Sequence, residues 1–282
     1  MVGNPAAAGR AERPADNPKN QVQSVAKAFA VLRAFGPDLP ALTPAEVAMR
    51  AGLDRGTAFR LIHTLLGLGY LREAADGRRY RLALKCLELG HAALAAQDLG
   101  QHAVPLLQEM VPSIADAGSL GVLEQGEVVY LARVEAGLDQ SGLVRRPGTR
   151  VGAYATALGQ AIMAFLPATA QQAALQALPR VKLSERTLTE MPALLARLAE
   201  VRARGWALSD GENAYGLCTV AAPVLGPDGL PVAGVSLTIR GGRLPAAEFA
   251  ALAAPRVLAV AAELAAAVRL SHGAIGTGRP PR

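Results

Sequence analysis

Residues 43–60, TPAEVAMRAGLDRGTAFR, constrain the fold more than any other stretch of this 282-residue chain. Thr43-Pro44-Ala45-Glu46 is a capping box with proline at the first helical position: the Thr43 hydroxyl accepts a backbone N–H while Glu46 reaches back. A helix starts there, and it runs only to Ala51, because Gly52 suits the left-handed turn that closes a helix. Asp54 then caps a further helix. In that helix Ala58, Leu61, Ile62, Leu65 and Leu68 form an apolar stripe, leaving Arg55, Gly56, Thr57, Arg60, His63 and Thr64 on the other side. Two short helices joined by a glycine turn, the second bearing small and basic residues early, make a helix-turn-helix pattern. Upstream, Ser24 is placed to cap a helix carrying Val25, Phe29, Leu32 and Phe35, stopped by Gly36-Pro37. Downstream, Tyr70–Glu73 and Arg79–Leu82 alternate around Asp76-Gly77, a two-residue hairpin signal, so the pattern gains a basic wing.

Charge points the same way. Residues 1–90 carry 13 Lys/Arg against 8 Asp/Glu, whereas residues 91–282 carry 16 against 15, so the basic excess sits at the front. A polyanion is the expected partner of the N-terminal third, and double-stranded DNA is the polyanion a helix-turn-helix reads. Arg55, Thr57, Arg60 and Thr64 lie on the helix expected to enter a major groove, with Arg60 as the best base reader. Arg78, Arg79 and Arg81 lie on or beside the hairpin, placed to neutralise phosphate or to enter a neighbouring minor groove. The ordinary alternative is a solvated basic face, and winged helices also serve as protein-docking modules.

The rest of the chain reads as an α+β domain. Residues 84–110 return to a helical pattern, interrupted at Pro105, and read as an interdomain linker. Hairpins follow at Ser119–Glu135 and Thr219–Ile239, with helices at Ala157–Leu166, Ala168–Leu178, Pro192–Arg204 and Pro245–Leu270. The expected division is an arm over 1–20, a winged helix-turn-helix over 21–83, a linker and dimerisation segment over 84–110, an effector domain over 111–271 and a flexible tail over 272–282. The first 20 residues lack the continuous apolar stretch of a signal peptide. Ala/Leu-rich runs are broken by Arg197, Glu200, Glu263 and Arg269, which argues against a membrane span. Cys86 and Cys218 make no disulfide framework and no zinc spacing, which fits a reducing cytoplasm.

Thr156 can cap the helix at Ala157, offering the amides of Ala157 and Leu158 to a carboxylate. Thr219, Ser236 and Thr238 stand as hydroxyls on otherwise apolar strands, the last two on one face. Those hydroxyls could equally be satisfied locally. GxGxxG, P-loop, HExxH and GxSxG patterns are missing, and the four histidines are scattered, so neither catalysis nor a metal or cofactor is expected. Without a nearby histidine, Cys218 reads as a small buried hydrophobe.

Five stretches in order resemble the IclR family of bacterial transcription regulators: QSVAKAFAVLRAF, LTPAEVAMRAGLDRGTAFRLIHTLLGLGYL, RRYRLALKCLELG, GTRVGAYATALGQAIMAF and RARGWALSDGENAYGLCTVAAPVLGPDGLPVAGVSLTI. The resemblance covers nearly all of residues 21–270. It implies a winged helix-turn-helix, a helical linker used in dimerisation, and a GAF-like or profilin-like effector domain with a mixed antiparallel sheet. It also implies dimers or tetramers on roughly palindromic operators, answering to small organic acids. GTRVGAYATALGQ is similar to the branch that regulates aromatic-acid breakdown, the protocatechuate and 4-hydroxybenzoate regulators. By that resemblance the ligand cavity is lined by Leu143, Val151, Tyr154, Ala157, Leu158, Ser209, Leu217, Thr219, Ser236 and Thr238. Many members carry an acidic pair and a cysteine where this chain has Ser209-Asp210-Gly211-Glu212 and Leu217-Cys218-Thr219.

Overall fold

A computed structural model describes residues 22–36, 38–89, 99–138 and 145–275, with side chains to residue 269. The chain divides into two compact units, with the boundary between Ala93 and Leu94. The arm, residues 90–98 of the linker, Leu143 and the end of the tail lie outside the described residues.

The first unit contains α1 (Gln23–Arg33), α2 (Pro44–Ala51), α3 (Arg55–Gly67), β1 (Leu71–Glu73) and β2 (Tyr80–Leu82). Thr43 and Glu46 form the complete capping box, and Gly52 closes α2 at φ +65°, a conformation that costs a side-chain-bearing residue more. The Asp54 carboxylate accepts the Thr57 amide at 2.8 Å and starts α3. Val31, Phe35, Leu42, Val47, Ile62, Leu65 and Leu71 form the core. Leu42 exchanges backbone hydrogen bonds with Tyr80, which fastens the hairpin to the helices. Two local expectations change. Ser24 is not a cap, since α1 begins at Gln23 with no side-chain cap. The hairpin connection spans 74–79, because Asp76 folds back onto the amides of Arg78 and Arg79 instead of closing a two-residue turn.

The second unit starts with α4 (Leu99–Met110), whose Ala103, Leu107 and Met110 are buried in that unit's core. Residues 99–110 are therefore core and not a free linker, and the helix continues through Pro105. Then come β3 (Ala117–Glu124), β4 (Glu127–Glu135), β5 (Arg150–Gly152), a 3-10 turn (Ala153–Ala155), α5 (Ala157–Met163), α6 (Ala168–Gln176) and α7 (Met191–Arg204). β6 (Ala207–Asp210), β7 (Leu217–Leu225), β8 (Pro231–Arg240) and α8 (Ala246–Ile275) complete it. The sheet order is β5-β4-β3-β8-β7-β6, and every described pairing is antiparallel.

Strand alternation gives the sheet two different faces. Leu120, Cys218, Val220, Val235, Leu237 and Ile239 point to one side and pack with α4 and with Phe249, Ala253, Val257 and Leu264 of α8. Residues 246–269 of α8 are long and apolar enough to cross a membrane, so the charges at Glu263 and Arg269 do not break the run as expected. What marks α8 as a core helix is the stripe it buries against the sheet. The other face takes α5 and α7, with Tyr130, Leu158, Ala161, Leu194, Leu198 and Ala221. Leu158 and Ile162 come so near Gly234 that a Cβ there would stand 2.9 Å from both, so glycine sets how closely α5 seats.

Candidate functional site

The first unit presents one chemically distinctive surface. Asp54 fixes the start of α3, and its carboxyl is held below the usual range by the hydrogen bonds from Thr57. From there Arg55, Arg60 and Thr64 are exposed, Thr57 is half-buried, and Ala58, Ile62 and Leu65 face the core. Thr64 donates its hydroxyl to the Arg60 carbonyl at 2.9 Å, so its side chain is partly occupied. Phe59 and His63 lie on the exposed side with ring centroids 4.3 Å apart. An exposed phenyl ring beside Arg60 can meet a thymine methyl.

Around the hairpin, Arg78, Arg79 and Arg81 are exposed. Arg79 bonds Asp76 at 2.5 Å, which lowers the Asp76 carboxyl and ties down one of the expected phosphate contacts. The register adds a residue that sequence reasoning missed: Arg72 stands directly opposite Arg81. Like charges across a strand pair repel, and an anion lying over them removes the cost. The signal was available in the symmetric placing of the two arginines about Asp76-Gly77.

In the second unit, polar side chains line up across the face shared with α5. Arg133 of β4 is opposite Ser119 of β3, and Ser119 is opposite Ser236 of β8. One step along, Ser209, Thr219 and Thr238 are in register across β6, β7 and β8. Thr219 and Thr238 are hydrogen-bonded at 3.0 Å. At the end of this row is a cleft lined by Arg133, Arg145, Ser209, Asn213, Ala214, Leu217, Thr219 and Thr238.

Arg133 is nearly buried, with its side chain 8% exposed; it donates to Glu135 at 2.7 Å and to the Ser119 hydroxyl at 2.9 Å. Arg145 donates to the Tyr130 hydroxyl at 2.7 Å with its guanidinium over that ring. Its Nε is buried without a hydrogen-bond partner. Beside the cleft, Glu212 is buried and accepts from Gln160 at 3.0 Å and Arg197 at 2.8 Å. Its backbone carbonyl accepts from the hydroxyls of Ser184 and Thr187, so the loop carrying Asn213 is held firmly.

Of the ten expected lining residues, Ser209, Leu217, Thr219 and Thr238 line this cleft. Ser236 is buried on the same sheet face, one step inward. Tyr154, Ala157 and Leu158 do not line it: all three are buried in the apolar layer under α5. The Tyr154 hydroxyl is committed to the Val181 backbone, which it meets through both N–H and carbonyl. Thr156 caps α5 through the Gly159 amide at 2.9 Å, and Ala157 and Leu158 at that helix start are buried. Val151 sits on edge strand β5, half-buried against the same apolar layer. Burial pushes the Cys218 thiol up to about 11, with Asp210 adding to the effect, so it is a neutral thiol at pH 7. Among the described residues no His, Cys, Asp and Glu group could hold a metal ion.

A basic helix-turn-helix unit and a separate unit with a polar, arginine-bearing cleft define a DNA-binding class of protein with a candidate small-molecule site. The comparisons make the family plain. The bacterial transcriptional regulator IclR C-terminal model matches residues 91–266, and the IclR helix-turn-helix domain matches residues 24–75, so this chain belongs to the IclR family of transcriptional regulators. The Pca regulon regulatory protein of Pseudomonas putida is 31% identical over 86% of this chain and 82% of its own length. A crystal structure from Rhodococcus sp. RHA1 shares 33% identity at a TM-score of 0.77, covering 88% of this chain and 98% of that one. A homologue from Microbacterium hydrocarbonoxydans, solved with 4-hydroxybenzoate, shares the fold at a TM-score of 0.74 and 23% identity, covering 86% of this chain and 99% of that one.

Proposed function

We propose that this regulator works in the cytoplasm, binds double-stranded operator DNA as a homodimer or dimer of dimers, and changes its operator affinity when a small organic acid enters the second unit. The observation that carries the reading is the exposed basic side of α3, started by Asp54 and backed by the basic hairpin. In a groove, Arg60 reads a base edge, Arg55 and Thr57 approach from the helix start, and Arg72, Arg78 and Arg81 neutralise phosphate. The polar cleft supports an acid over a neutral ligand, because two guanidiniums line it and Glu135 answers one of them. A ligand shifts DNA affinity only by as much as it prefers one arrangement of the regulator. Fluorescence anisotropy of the full chain on DNA from upstream of its own gene tests this, with and without 4-hydroxybenzoate and a set of aliphatic acids. Steeply salt-dependent binding that one acid shifts is expected. DNA binding no tighter than to heparin, with no acid effect, would favour a protein-docking adaptor.

A further inference from the structure

We propose that Arg145 anchors the effector carboxylate, and that the cleft selects a monoanionic carboxylate carrying a hydrogen-bonding group at its far end; this rests on the effector reading above. Five guanidinium N–H donors need partners, and Arg145 uses one of them on the Tyr130 hydroxyl while its Nε is buried and unmatched. A buried donor without an acceptor is costly, and a carboxylate oxygen is the acceptor a guanidinium fork fits best.

Charge sets the valence. Arg133 is matched by Glu135, whereas among the described residues Arg145 has a phenol and no carboxylate. Among the described residues the cleft therefore offers one uncompensated positive charge, which one negative charge neutralises and a second would overshoot. Ser209, Asn213, Thr219 and Thr238 supply both donors and acceptors on the facing wall, which suits a neutral hydroxyl or carbonyl at the other end of the ligand. Size adds a condition. The cleft's volume is about 20 Å³, room for a water or two by the usual measure of roughly 10–15 Å³ each. An acid larger than that widens the cleft on entry and takes the Tyr130 hydroxyl's place on Arg145, so ligand and cleft wall move together.

Arg145 is absent from the expected lining residues because a β-bulge hides its surroundings. The β3–β4 register shifts between Leu120 and Gly121, so Leu131 is the extra residue and Tyr130 and Arg133 share a sheet face although three positions apart. Strict alternation would have put them on opposite sides.

Isothermal titration calorimetry of the full chain tests the assignment with 4-hydroxybenzoate, benzoate, pyruvate, succinate and inorganic phosphate, each carboxylate paired with its neutral amide. A monocarboxylate should bind and its amide should bind at least about tenfold more weakly. Arg145→Leu should weaken the acid by at least about tenfold and leave the amide unchanged, while Arg145→Lys keeps part of the acid preference. If Arg145→Leu does not fold, Arg145→Gln and Arg145→Lys provide the same contrast. Equal binding of acid and amide, unchanged acid affinity in the Arg145 variants, tighter binding of succinate or phosphate, or no carboxylate bound at all would each overturn the proposal. Operator binding by the same samples is scored separately: salt-dependent DNA binding that survives any of these outcomes leaves the regulator standing without this anchor.

Discussion

The two units use polar side chains in opposite ways. In the first, nearly every one that could touch a partner is exposed: Arg55, Arg60, Arg72, Arg78 and Arg81 stand in water, and of the two caps Asp54 is exposed and Thr43 half-buried. In the second, Ser119, Ser209, Ser236 and Thr238 are buried, and Arg133 nearly so. The contrast teaches what each ligand demands. Phosphate is met through water by long flexible cations whose strength comes from counterion release, so exposure costs little. A small acid has few contacts to offer, so each counts most where water is excluded and an unmatched group is costly.

Several substitutions sharpen that contrast, starting with the largest effect. Phe249→Ala removes a fully buried ring from the α8 side of the sheet and should cost about 3–5 kcal/mol in the second unit; calorimetry should find the unfolding of the first unit unmoved. Arg60→Ala should leave both units folded and weaken operator binding by about 1–3 kcal/mol while relaxing preference at one base pair, which anisotropy on a set of single-base operator variants reads. A uniform loss over all sequences would make Arg60 a phosphate contact instead. Thr43→Ala removes the capping box of α2 and should cost the first unit about 0.5–2 kcal/mol, read as a shift in its denaturant midpoint.

The pH dependence of the two units should run in opposite directions. Hydrogen bonds lower the carboxyls of Glu46, Asp54 and Asp76, so their contribution is present above the unfolded values and lost as pH falls through the folded ones. The Cys218 thiol is raised, so its contribution is complete below about 9 and lost as pH rises toward about 11. Cys218→Ala should flatten that alkaline loss in the second unit and leave the acid loss in the first alone, as thermal shifts across pH 3–11 would record.

The local chemistry of the first unit was legible because it is written in short range. Thr43-Pro44-Ala45-Glu46, Gly52 and Asp54 each act on neighbours within four residues, and the helix boundaries follow from them. Hairpins in the second unit were legible for the same reason. The polar cleft was not, because its walls come from β4, β6, β7, β8 and the segment at Arg145, which meet only through sheet register. One bulge at Leu131 is enough to reverse which residues share a face. Likewise, Tyr154 reads as a ligand contact by family pattern, yet its hydroxyl is drawn to Val181, 27 positions away. The burial of α4 depends on α8, far along the chain, and no local pattern separates a core helix from a linker there.

The most direct test of the account is the salt dependence of operator affinity for the wild-type chain and for the Arg72→Ala, Arg81→Ala double variant, measured on the same DNA. If the hairpin arginines lie on phosphates, the slope of log K against log salt becomes shallower by about 1.8, with affinity lost equally on all sequences. An unchanged slope with unchanged affinity would mean that the basic hairpin does not lie on DNA, and the nucleic-acid face described here would be wrong.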